Sequence, residues 1–286
     1  MNHLHKLVLY SPAKINLFLH ITGKRADGYH DLQTAFHFLD FADTLYFEIT
    51  QAPGINISGM NLPVTKNIIY KAAIALTPFA NITPNIDIHI EKRIPTEAGL
   101  GGGSSNAATT LLALNKLWQC GLDPLDLIQL GQKLGADVPI FIHGYSAWAE
   151  GIGEQLTSIH IPEKTYLLVK PPVSANTQTF FSHPSLTRDT KKKKIAHFLD
   201  TAQRQKFKND FLPLIKKLYP EINVLINELS LYGQVYLSGS GSSLFLIFDD
   251  YSQADQVRLK LPPDYNVVIA KGLNKSPAVT DLNRLN

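Results

Sequence analysis

Two features of the chain are fit for chemistry on a phosphate, and the first is a run of glycines. The segment PTEAGLGGGSSNAA, residues 95–108, places Gly99, Gly101, Gly102, Gly103, Ser104 and Ser105 within seven positions and then turns into small, helix-compatible residues. A helix N-terminus leaves backbone N–H groups unpaired and carries the positive end of the helix dipole, so glycines leading into one let an anion approach bare backbone. The competing reading is a flexible connection between a strand and a helix. Four glycines and two serines abutting a helix favour the anion cradle. It is not a Walker A loop, which sets Lys and then Ser or Thr after its last glycine, where this chain has Ser104, Ser105 and Asn106. The dinucleotide fingerprint fails because Ser104 stands where its third glycine belongs. The protein-kinase set fails too, since neither His-Arg-Asp nor Asp-Phe-Gly occurs.

The second feature is a pair of charges. Phosphoryl transfer is mostly positioning and charge neutralisation, and it asks for a proton acceptor at the attacking hydroxyl with a cation in support. Lys14 lies inside the apolar stretch AKINLFL, where an unpaired ammonium is costly, so a carboxylate partner is expected. Asp137 follows Gly135 and precedes VPIF, at a turn that could face a cleft. Taken singly, they read as an ordinary strand-edge lysine and a loop aspartate. Asn16 shares a strand face with Lys14. Tyr29 and His30 follow Gly28 in a polar turn, where a lone tyrosine or histidine is ordinarily surface decoration.

The elements that must hold these residues are mixed. Strands are expected at Lys14 to Ile21, Thr44 to Thr50, Ile86 to Ile90, Tyr166 to Val169, Gln234 to Leu237, Leu244 to Phe248 and Asn266 to Ala270. Asn67 to Leu76 reads as a helix. Ala107, Leu111, Leu114 and Trp118 recur at helical spacing and predict an amphipathic helix with one buried stripe, starting where the glycines end. Asp123 as N-cap, Pro124 in the first turn and Gly135 as a stop bound another helix. Glu221 to Leu231 and Gln253 to Leu261 complete the helices. Strands and helices without strict alternation give an α+β architecture, with a seam between two domains in the polar stretch around 150–165. The segment SHPSLTRDTKKKK, 182–194, reads as a mobile solvated loop without a catalytic role.

Composition sets limits. The 286 residues, 44% hydrophobic and 18% charged, describe a globular chain rather than a disordered or fibrous one. A net charge of +3 is too weak to argue for nucleic acid and suits anionic small molecules. A single cysteine, Cys120, excludes an internal disulfide and fits the cytoplasm. No apolar run reaches the roughly 18 residues that span a bilayer, and MNHLHKLVLYSPAK is too short in apolar residues for a secretory signal. Neither an HExxH pair nor an EF-hand loop occurs, so magnesium is expected to arrive with a nucleotide.

The stretches SPAKINLFLHITGKRADGYHDLQT (11–34), IPTEAGLGGGSSNAAT (94–109) and LSGSGSSLF (237–245) resemble, in order and spacing, the three motifs of the GHMP superfamily of galactokinase, homoserine kinase, mevalonate kinase and phosphomevalonate kinase. With RADGYH, LGADVPIF and AKGLNKSP, the match is best for the branch that phosphorylates the 2-hydroxyl of a cytidine diphosphate-linked methylerythritol, on a route to isoprenoid precursors. The likeness spans the chain and thins over 172–234. It implies a two-domain α+β GHMP kinase fold, with residues 1–160 binding ATP, 161–286 contributing to the substrate site, and both ligands meeting between them. It places Pro95, Gly99, Leu100, Gly101, Gly102, Gly103, Ser104 and Ser105 around the ATP phosphates. It makes Asp137 the base and Lys14 its cation, and Asn16 a contact to the substrate hydroxyl. The resemblance likewise implies that Tyr29 and Phe181 stack on the cytosine, with Phe180 the alternative if the match slips. It implies that His30 bonds the base edge, that Thr177 is a nearby polar contact, and that Gly239, Ser240 and Gly241 form the third motif. Glu97 stands where the superfamily has a small residue and is expected to turn away from the nucleotide. A sister kinase acting on another alcohol, or a noncatalytic nucleotide-binding member, is the alternative.

Overall fold

Two strands of 19 residues, β1 (Lys6–Lys24) and β2 (His30–Glu48), form an antiparallel hairpin that runs through the whole molecule. The computed structural model describes residues 5–173, 177–204 and 206–284, without the side chains of Thr177 and Gln178. Both strands are longer than the sequence predicts. Residues Ser11 to Ile21 of β1 are all buried, as are most of Gln33 to Leu45 of β2, so over these stretches neither shows the alternation that marks a strand with one wet face, which survives only at residues 6–10 and 45–48.

The free edge of β2 is shared by three partners in turn. Thr34 to Phe36 pair with β5 (Ala147–Glu150), Phe38 and Leu39 with β10 (Asn266–Leu273), and Thr44 to Glu48 with β4 (Ile86–Glu91). The sheet of ten described strands extends from β4 to the parallel β3 (Ile55–Ser58), and from β5 to β6 (Gln155–Ser158). From β10 it continues through β7 (Thr165–Lys170) and β9 (Leu244–Phe248) to the two-residue β8 (Tyr236–Leu237). The polar seam thus contains a short hairpin strand.

Helices cover this sheet. In the first half these are α1 (Ile68–Leu76), α2 (Gly102–Leu117), α3 (Pro124–Leu134) and α4 (Val138–His143). In the second half they are α5 (Thr177–Ser182), α6 (Ile195–Leu199), α7 (Thr201–Arg204), α8 (Leu212–Leu218), α9 (Pro220–Leu229), α10 (Tyr251–Arg258) and α11 (Pro277–Asn283). None of the described helices is long and apolar enough to cross a membrane.

α2 departs from expectation twice. It starts at Gly102, inside the glycine run, and it is buried on nearly every side rather than along one stripe. Its small residues, among them Ala107, Ala108 and Ala113, let it pack between α1, α4 and β1. Burial of Leu111 and Leu114 contributes roughly 1.5–3 kcal/mol each.

β1 contributes to all three apolar cores. Leu7 and Leu9 pack with α1 and α2, Ala13, Ile15, Leu17 and Phe18 join Trp148, Phe198 and Phe245 in the middle, and Leu19 and Ile21 pack with the helices of the second half. α11 returns to pack on β1, with Leu282 in the first core. A side chain on β1 is therefore held by both halves of the molecule.

Candidate active site

Lys14 is placed by this spine. β1 carries bulges between Pro12 and Lys14, between Asn16 and Leu19, and between Ile21 and Gly23, which re-aim its side chains. The side chain is 2% exposed; its ammonium donates to Asn16 Oδ1 at 2.6 Å and to Gly99 O at 3.2 Å, and pairs with the Asp137 carboxylate, Oδ2 at 3.2 Å. It also stands 5.4 Å from the centre of the Phe36 ring. Asn16 in turn donates from Nδ2 to Thr34 Oγ1 at 2.9 Å, and Thr34 bonds the Phe18 carbonyl. Thr34 thus fixes which face of the Asn16 amide meets Lys14, a role no motif announced.

Asp137 stands at the junction of two helices. Asp123 caps α3 by accepting from Leu125 N and Asp126 N, and Gly135 ends it. Asp137 then occupies the N-cap position of α4 without capping it, which leaves the carboxylate to Lys14 and to the cavity.

The glycine segment opens a helix whose N-terminus is left uncapped. Gly101, at φ 71°, is the N-cap of α2; no side chain caps the helix and no acid lies in its first turn. The N–H groups of Gly102, Gly103 and Ser104 precede the first bond of the helix ladder, which runs from Ser105 N to Gly101 O at 2.8 Å. A Cβ at Gly101 would press on Phe141 and on Lys14 Cε. One at Gly99, φ 74°, would run into the Ser238 carbonyl. Only glycine allows the close approach that joins the second motif to the third, stitched by Ser238 Oγ donating to Gly99 O at 2.9 Å and Ser243 N to Ala98 O at 3.2 Å.

One cavity of about 1160 Å³ collects these groups. Lys14, Asn16, Asp137, Pro95, Gly99, Gly101, Gly102, Gly103 and Ser104 line it, together with Gly239, Ser240 and Gly241. Two expected members do not. Leu100 is buried in the middle core with Ala13 and Ile15, its carbonyl accepting from Lys14 N at 2.9 Å. Ser105 is fully buried and receives a hydrogen bond from Ser11 Oγ at 2.8 Å. In a helix buried on most sides, neighbouring residues cannot all face one ligand. Glu97, expected to turn away from the nucleotide, is instead exposed on the wall of this same cavity, with φ 52°. Met60, Leu62, Lys66, Asn67 and Ile68 form a further wall that sequence reasoning missed; its signal was Asn67, which caps α1 by accepting from Ile69 N at 2.9 Å.

The far end of the cavity is built from turns. Arg25 N donates to Tyr29 O at 2.8 Å and Tyr29 N to Asp27 Oδ1 at 3.0 Å, closing the β1–β2 hairpin and presenting Tyr29, 59% exposed, at the rim. The bond from Tyr29 N holds the Asp27 carboxyl below its ordinary range. His30, the first residue of β2, is 7% exposed, and burial lowers its pKa, with the charges of Arg188 and Lys24 adding to the effect. Its ring lies against Phe181, 5.2 Å between centres at 30°. Phe181 lines the cavity, whereas Phe180 is 1% exposed and packs on Phe211 and Tyr219 in the second core. Thr177 opens α5, and its side chain lies outside the described residues.

The segment 182–194 is not the free loop its composition predicts. Arg188 donates to the carbonyls of Phe181, His183 and Leu186, Thr190 N to Ile21 O at 3.0 Å, and Lys193 N to Gln33 Oε1 at 2.8 Å. Bonds to main-chain carbonyls leave no mark in composition.

A cleft with a buried lysine and a half-exposed carboxylate beside an uncapped helix N-terminus suits phosphoryl transfer to a hydroxyl, and relatedness agrees. The GHMP kinases N terminal domain profile matches residues 67–145 and the GHMP kinases C terminal profile residues 193–267. The chain is 46% identical over 283 residues to a 4-diphosphocytidyl-2-C-methyl-D-erythritol kinase of Marinomonas sp. (strain MWYL1), covering 98% of this chain and 92% of the relative. It is 43% identical to the enzyme of that name from Marinobacter nauticus, over 99% of both chains. A crystal structure of 4-(cytidine 5'-diphospho)-2C-methyl-D-erythritol kinase superposes with a TM-score of 0.81 at 30% identity, covering 93% of this chain and 99% of that one. With two family profiles on its two halves and relatives matched nearly end to end, the chain belongs to the GHMP kinases, and within them to the 4-diphosphocytidyl-2-C-methyl-D-erythritol kinase family.

Proposed function

We propose that this protein transfers the γ-phosphoryl group of ATP to the 2-hydroxyl of 4-diphosphocytidyl-2-C-methyl-D-erythritol, a step on the methylerythritol phosphate route to isoprenoid precursors. The observation that carries the reading is the juxtaposition, in one cavity, of the Lys14–Asp137 pair, the N-terminus of α2 and the aromatic turn at Tyr29 and His30.

Asp137 accepts the proton of the attacking hydroxyl. Lys14 holds that carboxylate in place and lends positive charge to the alkoxide as it forms, while Asn16, itself held by Thr34, orients the hydroxyl. The phosphates of ATP lie on the N–H groups of Gly102, Gly103 and Ser104, with Pro95, Gly99 and Gly101 shaping the approach. The apolar wall of Met60, Leu62 and Ile68 takes the adenine. Tyr29 and Phe181 face the cytosine and His30 reads its edge. Gly239, Ser240 and Gly241 close over the diphosphate, and Thr177 is assigned to the base end by resemblance alone.

Magnesium neutralises phosphate charge when it binds with the nucleotide. Among the described residues no group of three or more His, Cys, Asp or Glu side chains forms a ready metal site. A magnesium ion bound with a nucleotide keeps water and phosphate ligands and takes only one or two oxygens from protein. Ser104 and Glu97, on the cavity wall beside the helix N-terminus, are the side chains we assign to it. Residues 1–160 would form the nucleotide half and 161–286 the half that completes the substrate site, with β1 and α11 tying the two together. The protein would work in the cytoplasm, where ATP is supplied.

The test is ADP release over a panel of alcohols. The cytidine-bearing substrate should be turned over with a kcat/KM at least about a hundredfold above mevalonate, homoserine and free methylerythritol phosphate, because a site built around buried polar groups rejects ligands that leave them unpaired. Equal turnover of all four would make this a sister kinase, and no turnover of any would make it a nucleotide-binding member without the chemistry.

A further inference from the structure

Arg188 stands in the stretch whose composition reads as solvated loop, yet its guanidinium meets four acceptors. Nε donates to His30 Nε2 at 3.0 Å, Nη1 to Leu186 O at 3.0 Å, and Nη2 to Phe181 O at 2.9 Å and His183 O at 2.8 Å. Those carbonyls fix the plane of the fork, so the histidine meets a donor held in place.

A guanidinium has donors only. The His30 nitrogen facing it must therefore present a lone pair, which an imidazolium does not possess. The ring that satisfies this contact is neutral and carries its proton on Nδ1. Burial and the positive charges of Arg188 and Lys24 favour the neutral ring independently. The ring lines the cavity beside Phe181, and among the described residues His30 Nδ1 makes no hydrogen bond.

We propose that Arg188 is a positioning residue that holds His30 as its Nδ1–H tautomer, which makes the ring a fixed donor toward the pyrimidine edge and selects cytosine over uracil. The inference rests on the reading above that the base lies against His30. At ring position 3 cytosine offers a lone pair and uracil an N–H. A donor held at Nδ1 pairs with the first and opposes the second. A histidine able to move its proton between its nitrogens would serve both bases.

Long-range ¹H–¹⁵N correlation spectra of the ¹⁵N-histidine protein report the tautomer directly, with His30→Gln identifying the resonances. The wild type should show a pyridine-type Nε2 and a pyrrole-type Nδ1 at His30. In Arg188→Ala these signals should move toward the Nε2–H form or an average of the two. The kcat/KM preference for the cytidine substrate over its uridine analogue should fall by about tenfold, the equivalent of one hydrogen bond, with the loss carried mainly by KM. Arg188→Lys, which keeps the charge without the planar fork, should restore only part of the preference.

A pyrrole-type Nε2 in the wild type overturns the proposal and leaves the cytosine reading standing. That spectrum needs no variant, so the proposal stays refutable even if Arg188→Ala misfolds. A folded Arg188→Ala that loses activity equally on both substrates shows a loop strut and overturns it as well. A wild type indifferent to cytidine and uridine overturns the reading of the base end itself, and this inference with it.

Discussion

The two ends of the cavity are built in opposite ways. At the end we assign to the phosphates, Lys14 lies on a strand shared by three apolar cores, the proposed anion site is main chain at the start of a buried helix, and two glycines allow segments far apart in sequence to touch. At the end we assign to the base, Tyr29 sits on an exposed hairpin turn, and His30 is steadied by a loop arginine and a phenylalanine from a short helix. One end is geometry fixed by packing, and the other is side chains fixed by each other. Chemistry needs atoms held to within a fraction of an ångström, which a core can do. Selection among substrates needs particular donors and flat faces, which loops can supply and exchange without disturbing the core.

The sharpest way to break this contrast is Asp137→Asn. Asp137 is 37% exposed and Lys14 keeps two other acceptors, so the variant should fold with little change in thermal midpoint. Its kcat should fall by about 10²–10⁴, as expected for loss of a general base. Near-normal turnover would remove Asp137 from the chemistry.

Tyr29→Ala probes the other end. Stacking on a base contributes roughly 1–3 kcal/mol per ring, so KM for the cytidine substrate should rise by about ten- to a hundredfold while ATP binding is unchanged. An equal loss of ATP affinity would mean that the two ends are not separable.

Gly103→Val sharpens the contrast from within the phosphate end. A Cβ at Gly102 would meet Ile94 and Lys92, so branching there disturbs packing, whereas a Cβ at Gly103 meets open space on the cavity wall. Gly103→Val should therefore fold, and weaken ATP about tenfold or more by filling the approach to the helix N-terminus, equivalent to ~1.4 kcal/mol. Calorimetric titration with ATP checks this, and unchanged affinity would move the phosphates elsewhere.

The smallest effect is expected from pH. Burial, aided by Arg188 and Lys24, holds the His30 pKa below its ordinary 6.5, so the neutral ring persists as the solution is acidified through that value. KM for the cytidine substrate should stay flat down through pH 6.5 and rise only further into acid, where a protonated ring would set an N–H against the Arg188 donor. A rise centred at pH 6.5 would indicate a ring titrating as in water.

The same contrast decides what could be read from the sequence. The glycine-led start of α2 was legible because glycines leading into a helix obey a local rule, although the helix begins inside the run at Gly102, where glycine propensity hides it. The cost of a lone ammonium in AKINLFL predicted a carboxylate beside Lys14. Its identity as Asp137 came from resemblance, since nothing local links a strand near the start to a turn between α3 and α4. The first part of β2 was missed because it is buried on both faces and shows no period of two, whereas its end, which alternates from Leu45 to Glu48, was legible. The base end was legible only as isolated residues: Arg188 binds one side chain and three carbonyls, and such contacts exist only once the chain has folded. Packing likewise separates Phe180 from Phe181, one ring in the core and its neighbour on the cavity wall.

Transfer itself is tested most directly by a proton-coupled ³¹P spectrum of the product formed from ATP and 4-diphosphocytidyl-2-C-methyl-D-erythritol. Carbon 2 of that alcohol bears a methyl group and no hydrogen, so a phosphate on its oxygen has no three-bond proton partner. The expected result is a phosphomonoester singlet, distinct from inorganic phosphate, that grows in step with ADP while the diphosphate stays intact. A triplet from phosphate on a CH₂–O group, or ADP accompanied only by inorganic phosphate, would contradict it.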